Sequence, residues 1–96
     1  IKIMKMNKHK PENIFCRVCG YEYSIESPTW EDDETPSHDI CICCGVQFGY
    51  EDDIYKGVIE YRSKWIQEGA KWFSPNRKPE DWDLETQLKQ IPNRWK

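Results

Sequence analysis

Four of the five cysteines stand in two copies of one pattern. Phe15-Cys16-Arg17-Val18-Cys19-Gly20-Tyr21-Glu22-Tyr23 and Ile40-Cys41-Ile42-Cys43-Cys44-Gly45-Val46-Gln47-Phe48 each run apolar, Cys, two residues, Cys, Gly, two residues, aromatic. A turn across C-x-x-C brings two sulfurs to one point, while backbone N–H groups after the first Cys aim at the thiolates and offset their charge. The Gly after the second Cys takes a positive φ at little cost. Two such knuckles, with 21 residues between Cys19 and Cys41, supply four sulfurs and so a complete tetrahedral shell. The spacing therefore predicts one Zn2+ per chain held by Cys16, Cys19, Cys41 and Cys44, with iron as the alternative because the same thiolates accept either. A shell closed by protein leaves no position for water, which makes the site structural rather than hydrolytic.

Cys43 is the spare thiol, because Cys44-Gly45 repeats Cys19-Gly20, and it is expected to pack as a small apolar residue. His38 is expected at the surface, since four cysteines already complete the shell. An odd cysteine count, with four in paired motifs, fits metal ligation better than secreted disulfides. A redox dithiol of the thioredoxin type needs a long helix directly after its motif, and Gly20 breaks that pattern. His9 and His38 have no nucleophile paired by motif, and no glycine-rich phosphate loop is present, so an enzyme is not expected.

The elements that must position these sulfurs divide the chain into a Lys-rich lead (1–13), a two-knuckle segment (14–53) and a helical, aromatic-rich extension (54–96) that packs on it as part of one domain. Tyr55, Val58, Ile59, Trp65 and Ile66 fall mainly at helical spacing, and Gly69 is placed to end a helix over about 55–68. Asp83 is placed to cap a short helix over 84–90 with Leu84, Leu88 and Ile91 on one side, and Pro92 stops it. Trp65, Trp72, Phe73, Trp82 and Trp95 are the expected core that fixes the helices against the knuckles. At 96 residues the chain buries only a modest fraction of its surface, so a metal staple is a useful cross-link.

Charge is segregated. Residues 20–53 carry ten acids and no Lys or Arg, whereas nine bases outnumber six acids from Ile54 to Lys96. Four thiolates on a divalent cation add about two more negative charges to the acidic part. Two aromatic-acid clusters stand out: Trp30-Glu31-Asp32-Asp33-Glu34 and Tyr50-Glu51-Asp52-Asp53. Each reads either as a solvated loop or helix start, where Asp52 and Asp53 suit the helix dipole, or as a face that docks onto a basic partner. They lack the alternating spacing of a calcium loop. With no cation between Gly20 and Asp53 to meet phosphates, nucleic acid is disfavoured except at the ends. No stretch reaches the roughly 18 apolar residues of a membrane span, and the lead shows no signal core, so a soluble, cytoplasmic protein is expected.

Two resemblances follow from these residues. Cys16-Arg17-Val18-Cys19-Gly20-Tyr21-Glu22-Tyr23 and Cys41-Ile42-Cys43-Cys44-Gly45-Val46 resemble the two metal loops of rubredoxins, which implies an iron electron carrier. The Cys19 to Cys41 interval is shorter than in that family, and nothing in it corresponds to residues 54–96. Asp39-Ile40-Cys41-Ile42-Cys43-Cys44-Gly45, Phe48-Gly49-Tyr50-Glu51-Asp52-Asp53, Tyr61-Arg62-Ser63-Lys64-Trp65-Ile66 and Gly69-Ala70-Lys71-Trp72-Phe73 resemble small bacterial cysteine-rich proteins of the CPCC kind, with Ile42 where those often carry Pro. That likeness spans residues 14–92 and implies a zinc ribbon in a bacterial cytoplasm.

The fold class expected is a small α+β metal-stapled domain, with a zinc-ribbon or rubredoxin-like two-knuckle β core and a C-terminal helical extension. The function expected is a zinc-binding protein-interaction module, with an immunity or antitoxin protein as its sharper form. It would cover a basic, toxin-like partner with Trp30, Glu31, Asp32, Asp33, Glu34, Tyr50, Glu51, Asp52 and Asp53. An iron electron carrier is the alternative, and a nucleic-acid-associated zinc ribbon the second.

Overall fold

A computed structural model describes residues 10–96 of the chain. Most of the Lys-rich lead, including Lys2, Lys5, Lys8 and His9, lies outside the described residues. In the acidic middle, β1 (Trp30–Asp32) pairs antiparallel with β2 (Thr35–Pro36), Trp30 opposite Pro36 and Asp32 opposite Thr35, with an irregular register between. The run expected as a loop or helix start is thus a hairpin. Its turn is made locally, because the Asp32 carboxylate accepts the Glu34 N–H at 2.8 Å. The hairpin is tied to the first knuckle by Thr29, whose N–H and hydroxyl both reach the Asn13 carbonyl at 2.8 and 2.9 Å.

Helix α1 (Tyr55–Gln67) matches the expected span to within a residue and buries Val58 and Trp65, two turns apart on one stripe. It stops where expected. Gly69 and Ala70 take φ of 106° and 51°, and the Ala70 N–H returns to the Trp65 carbonyl at 2.8 Å. A left-handed alanine costs about 1–2 kcal/mol, which the closing hydrogen bond and the burial of Ala70 help to offset. Helix α2 (Leu84–Leu88) is capped by Asp83, whose carboxylate accepts from the Thr86 N–H at 2.8 Å and the Thr86 hydroxyl at 2.7 Å. It is two residues shorter than expected, and Gln90 and Ile91 continue it as single turns. Three 3-10 turns, Glu12–Ile14, Pro75–Arg77 and Asn93–Trp95, complete the elements. No helix among the described residues is long and apolar enough to cross a membrane.

The core gathers around the thiols. Val18, Val46, Phe48 and Val58 are fully or almost fully enclosed, ringed by Trp30, Trp65, Trp72, Ile91 and Trp95. A run of edge-on ring contacts joins them across the domain: Trp82 to Trp72 at 5.5 Å, Trp72 to Tyr21 at 5.6 Å, Tyr21 to Tyr23 at 4.9 Å and Tyr23 to Phe48 at 5.8 Å. Each such pair adds about 0.5–1.5 kcal/mol beyond its buried area. Of the five aromatics expected in the core, Trp82 is partly buried and Phe73 is 58% exposed. The backbone explains Phe73: the Phe73 and Ser74 N–H groups donate to the carbonyls of Cys43 and Ile42, both at 2.9 Å. The chain bends here against the second knuckle, with Trp72 buried and Phe73 left outward.

Candidate metal centre

The two knuckles repeat each other bond for bond. In the first, Gly20 N–H donates to the Cys16 carbonyl at 2.9 Å, Cys16 N–H to the Tyr21 carbonyl at 2.9 Å, and Phe15 bridges Glu22. In the second, Gly45 N–H donates to the Cys41 carbonyl at 2.9 Å, Cys41 N–H to the Val46 carbonyl at 2.8 Å, and Ile40 bridges Gln47. Gly20 and Gly45 sit at φ of 86° and 84°, the left-handed conformation that a glycine is needed for.

These turns face each other and bring Cys16, Cys19, Cys41 and Cys44 together, with all four sulfurs within 4.8 Å of one another and all four residues buried. The close pairs cross between knuckles: Cys16 to Cys44 at 3.7 Å and Cys19 to Cys41 at 3.8 Å. A metal–sulfur bond of about 2.3 Å implies a tetrahedron with an edge of about 3.8 Å, so the donor set fits a tetrathiolate ion. A disulfide needs sulfurs about 2.05 Å apart, and all five cysteines are free. The four cysteines assigned from spacing are thus positioned to bind a metal ion, and the spare thiol, Cys43, stands outside the group.

The electrostatics explain why such a cluster calls for a cation. Burial pushes the Cys16, Cys19 and Cys44 thiols up. Burial also acts to raise Cys41, but hydrogen bonds from Cys16, Cys19, Cys44 and Tyr23 outweigh it and bring Cys41 well below the ordinary thiol value. Buried thiols this close oppose one another's ionisation, and a divalent cation lets all four ionise. Tyr23 is held in place because its hydroxyl oxygen accepts the Ile42 N–H at 3.0 Å. Burial, and then the Cys41 sulfur, raises the Tyr23 phenol far above its usual range, which keeps it a donor. Burial, and then Cys44, pushes Tyr61 up to about 12, and its hydroxyl donates to the Cys44 carbonyl at 3.2 Å.

The surrounding shell comes from residues that spacing did not single out. Arg62, on α1, donates to the Val18 carbonyl at 2.6 Å, the Arg17 carbonyl at 2.8 Å and the Trp95 carbonyl at 2.6 Å. One guanidinium thereby fixes the first knuckle, the helix and the C-terminal turn. Arg17 is buried between two indoles, 3.8 Å from the Trp30 ring and 4.2 Å from the Trp95 ring. Gln87 is buried on α2. Its amide nitrogen donates to the Cys19 carbonyl at 3.1 Å and approaches the Cys43 sulfur at 3.3 Å, while its oxygen accepts from the Trp82 indole at 2.8 Å. Gln90 donates to the Gly20 carbonyl at 2.8 Å.

The nine residues expected to form an acidic partner face divide. Glu31, Asp32, Asp33, Glu34, Tyr50, Glu51 and Asp53 are exposed. Trp30 and Asp52 are buried and join each other: the Trp30 indole N–H donates to one Asp52 carboxylate oxygen at 3.0 Å, and the Gly49 N–H donates to the other at 2.6 Å. They are a strut between the two aromatic-acid clusters, which corrects their assignment to a docking face. Burial pushes the Asp52 carboxyl up, opposed by those two donors and by Arg17, whose guanidinium also donates to the Asp52 carbonyl at 3.1 Å. With Asp52 turned inward and Ile54 at the N-cap, the helix-dipole account of Asp52 does not hold. Asp33 is engaged as well, since Arg94 bridges it to Glu12, both at 2.8 Å.

No protein-family model matches the chain, so the resemblance to CPCC-type proteins extends only as far as the residues that carry it. No solved structure matches it. Two proteins of Bacillus subtilis (strain 168) are similar to it along most of their length. Uncharacterized protein YoaQ is 31% identical over 80 residues, covering 69% of this chain and 68% of YoaQ. Uncharacterized protein YozI is 31% identical over 86 residues, covering 74% of this chain and 71% of YozI.

Proposed function

This chain belongs to the family of YoaQ and YozI, and from that premise we propose that it is a non-enzymatic protein-interaction module, stapled by one zinc ion, whose acidic surface docks onto a basic protein partner. The observation that carries this is the closed, buried group of four sulfurs, which uses every position of a tetrahedral ion and leaves none for a substrate. Bound there, zinc supplies a cross-link between the knuckles rather than a reaction step. Five buried, free cysteines suit the reducing cytoplasm.

The acids then stand out as the surface feature in need of a role. Glu31, Asp32, Glu34, Glu51 and Asp53 are exposed and have no ion-pair partner among the described residues. Such a field speeds the encounter with a basic surface and disfavours nucleic acid. An immunity or antitoxin protein covering a basic toxin surface is the specific form of this role.

Two measurements test it. Elemental analysis with a visible spectrum on protein purified without added metal should give one zinc per chain and no colour. One iron per chain, with absorption that bleaches reversibly on reduction, would instead make this an electron carrier. For the partner, co-expression should protect cells against a toxin encoded beside the protein's own gene. Failure to protect, together with purification from its native cells without any bound protein, would remove the interaction role.

A further inference from the structure

Three hollows adjoin along one side of α1. The first lies between the Tyr50–Asp53 turn and the start of the helix, with a volume of about 380 Å³. The second shares Tyr61 and Lys64 with it. The third shares Cys44, Tyr61, Trp65 and Glu68 with the second and ends at Lys71 and Phe73. They form one furrow between α1 and the second knuckle. From Ile54 to Glu68 it follows 14 residues of chain along the helix, about 21 Å at 1.5 Å per residue. That length takes about six residues of extended peptide.

Three of the most exposed apolar side chains line this furrow: Tyr50 at 73%, Ile54 at 59% and Phe73 at 58%. Its chemistry is ordered end to end. Glu51, Asp53 and Glu60 edge the Tyr50 and Ile54 end, and only Glu60 is ion-paired, to the exposed Lys56. Trp65 and Phe73 line the other end, where Lys71 stands beside Glu68, and Lys64 lies midway between the two ends.

We propose that this furrow is the docking groove for an extended, apolar-basic segment of a partner protein. Two cations of the segment sit at the Glu51 and Asp53 end, and bulky apolar side chains lie against Trp65 and Phe73. Charge complementarity fixes the placement: the unpaired carboxylates of Glu51 and Asp53 at one end await cations, whereas at the other Lys71 already offsets Glu68. A nucleic acid or an acidic segment meets the wrong sign of charge at Glu51 and Asp53. This rests on the protein-interaction role above and locates it on the second knuckle rather than on the hairpin.

The test uses the full metal-loaded chain, labelled with nitrogen-15, and a capped hexapeptide of two arginines, one serine and three leucines in that order. At about 50 mM salt the peptide should shift the amides of Tyr50 to Ile54, Tyr61, Lys64 and Phe73, and more salt should weaken the effect. Glu51→Lys with Asp53→Lys should weaken binding at least tenfold. Phe73→Ala should weaken it several-fold, and so should alternating the arginines with the leucines. All substituted residues are exposed, and an unchanged metal content and spectrum verifies each variant's fold. Shifts confined to Glu31–Glu34 would overturn the furrow while leaving an acidic docking surface in place. No shift at millimolar peptide would overturn the furrow and leave the acidic surface without support.

Discussion

The two knuckles have the same hydrogen bonds and the same glycine conformation, yet the rest of the chain holds them by different means. The first is clasped: Arg62 holds the carbonyls of Arg17 and Val18, Gln87 holds that of Cys19, Gln90 holds that of Gly20, and Ile91 packs beside Gly20. The second is held by the Phe73 and Ser74 backbone and the Tyr61 hydroxyl, keeps Ile40 and Gln47 exposed, and borders the furrow through Cys44 and Gly45. Equal local geometry therefore does not mean equal duty. The first knuckle is gripped by side chains of both helices, and the second leaves one side open to solvent along the furrow.

The largest expected effect should fall on both knuckles alike. Structural zinc contributes about 10–16 kcal/mol to folding, against a net stability of about 5–15 kcal/mol for a typical domain. Cys16→Ser, Cys44→Ser or chelation of the metal should each abolish the cooperative melt followed by circular dichroism. Cys43→Ser should cost only about 1–2 kcal/mol, because its sulfur lies outside the cluster and Gln87 can donate to a hydroxyl instead. Equal loss of metal in all three variants would refute the ligand assignment.

Next come the neighbours Arg62 and Tyr61, which serve different knuckles. Arg62→Met leaves three carbonyls without their donor and should cost about 3 kcal/mol in urea unfolding of the metal-bound protein. Tyr61→Phe removes a single hydrogen bond to the Cys44 carbonyl and should cost about 1 kcal/mol. Matching costs would erase the asymmetry.

The glycines sharpen the same contrast. Alanine at Gly20 or Gly45 pays about 1–2 kcal/mol for a left-handed backbone. At Gly20 the new Cβ also presses into the Gln87 backbone carbonyl, whereas at Gly45 it meets the Phe73 and Tyr61 side chains at 3.2 and 3.4 Å, which can move aside. Gly20→Ala should therefore melt lower, by about 1–3 kcal/mol of additional cost.

The smallest effect concerns Asp83, which caps the helix carrying Gln87. Hydrogen bonds from the Thr86 hydroxyl and N–H hold its carboxyl below the ordinary carboxylate range. Its contribution is complete above that ordinary range and is lost as pH falls through the lower folded value. Asp83→Asn should flatten this part of the acid limb while keeping the cap, and a calorimetric melt series against pH would detect the difference.

The cluster of four cysteines was legible because its chemistry is written into adjacent residues: a C-x-x-C-G turn needs no distant partner to be recognised. Helix α1 was legible for a related reason, since its apolar stripe and its terminal Gly69 lie in one segment. Arg17 and Arg62 were not, because their partners are backbone carbonyls and indole faces, and a carbonyl looks the same at every residue. The Trp30 and Asp52 strut was hidden inside runs of acids that read as solvated surface. The signal available was that each aromatic-acid cluster contains a member able to satisfy one in the other, an indole N–H and a carboxylate. The hairpin was obscured likewise, because four consecutive acids mask the local Asp32 turn.

The clasp over the first knuckle also has a meaning for the order of synthesis. All four sulfurs precede Arg62, Gln87, Ile91 and Trp95 in the chain, so they emerge from the ribosome before the residues that cover the first knuckle. Between those two moments the growing chain owns a complete binding set without its cover. An ion captured in that interval becomes the fixed point on which the later segments condense, and cells starved of the metal would release chains whose second half has nothing to fold against.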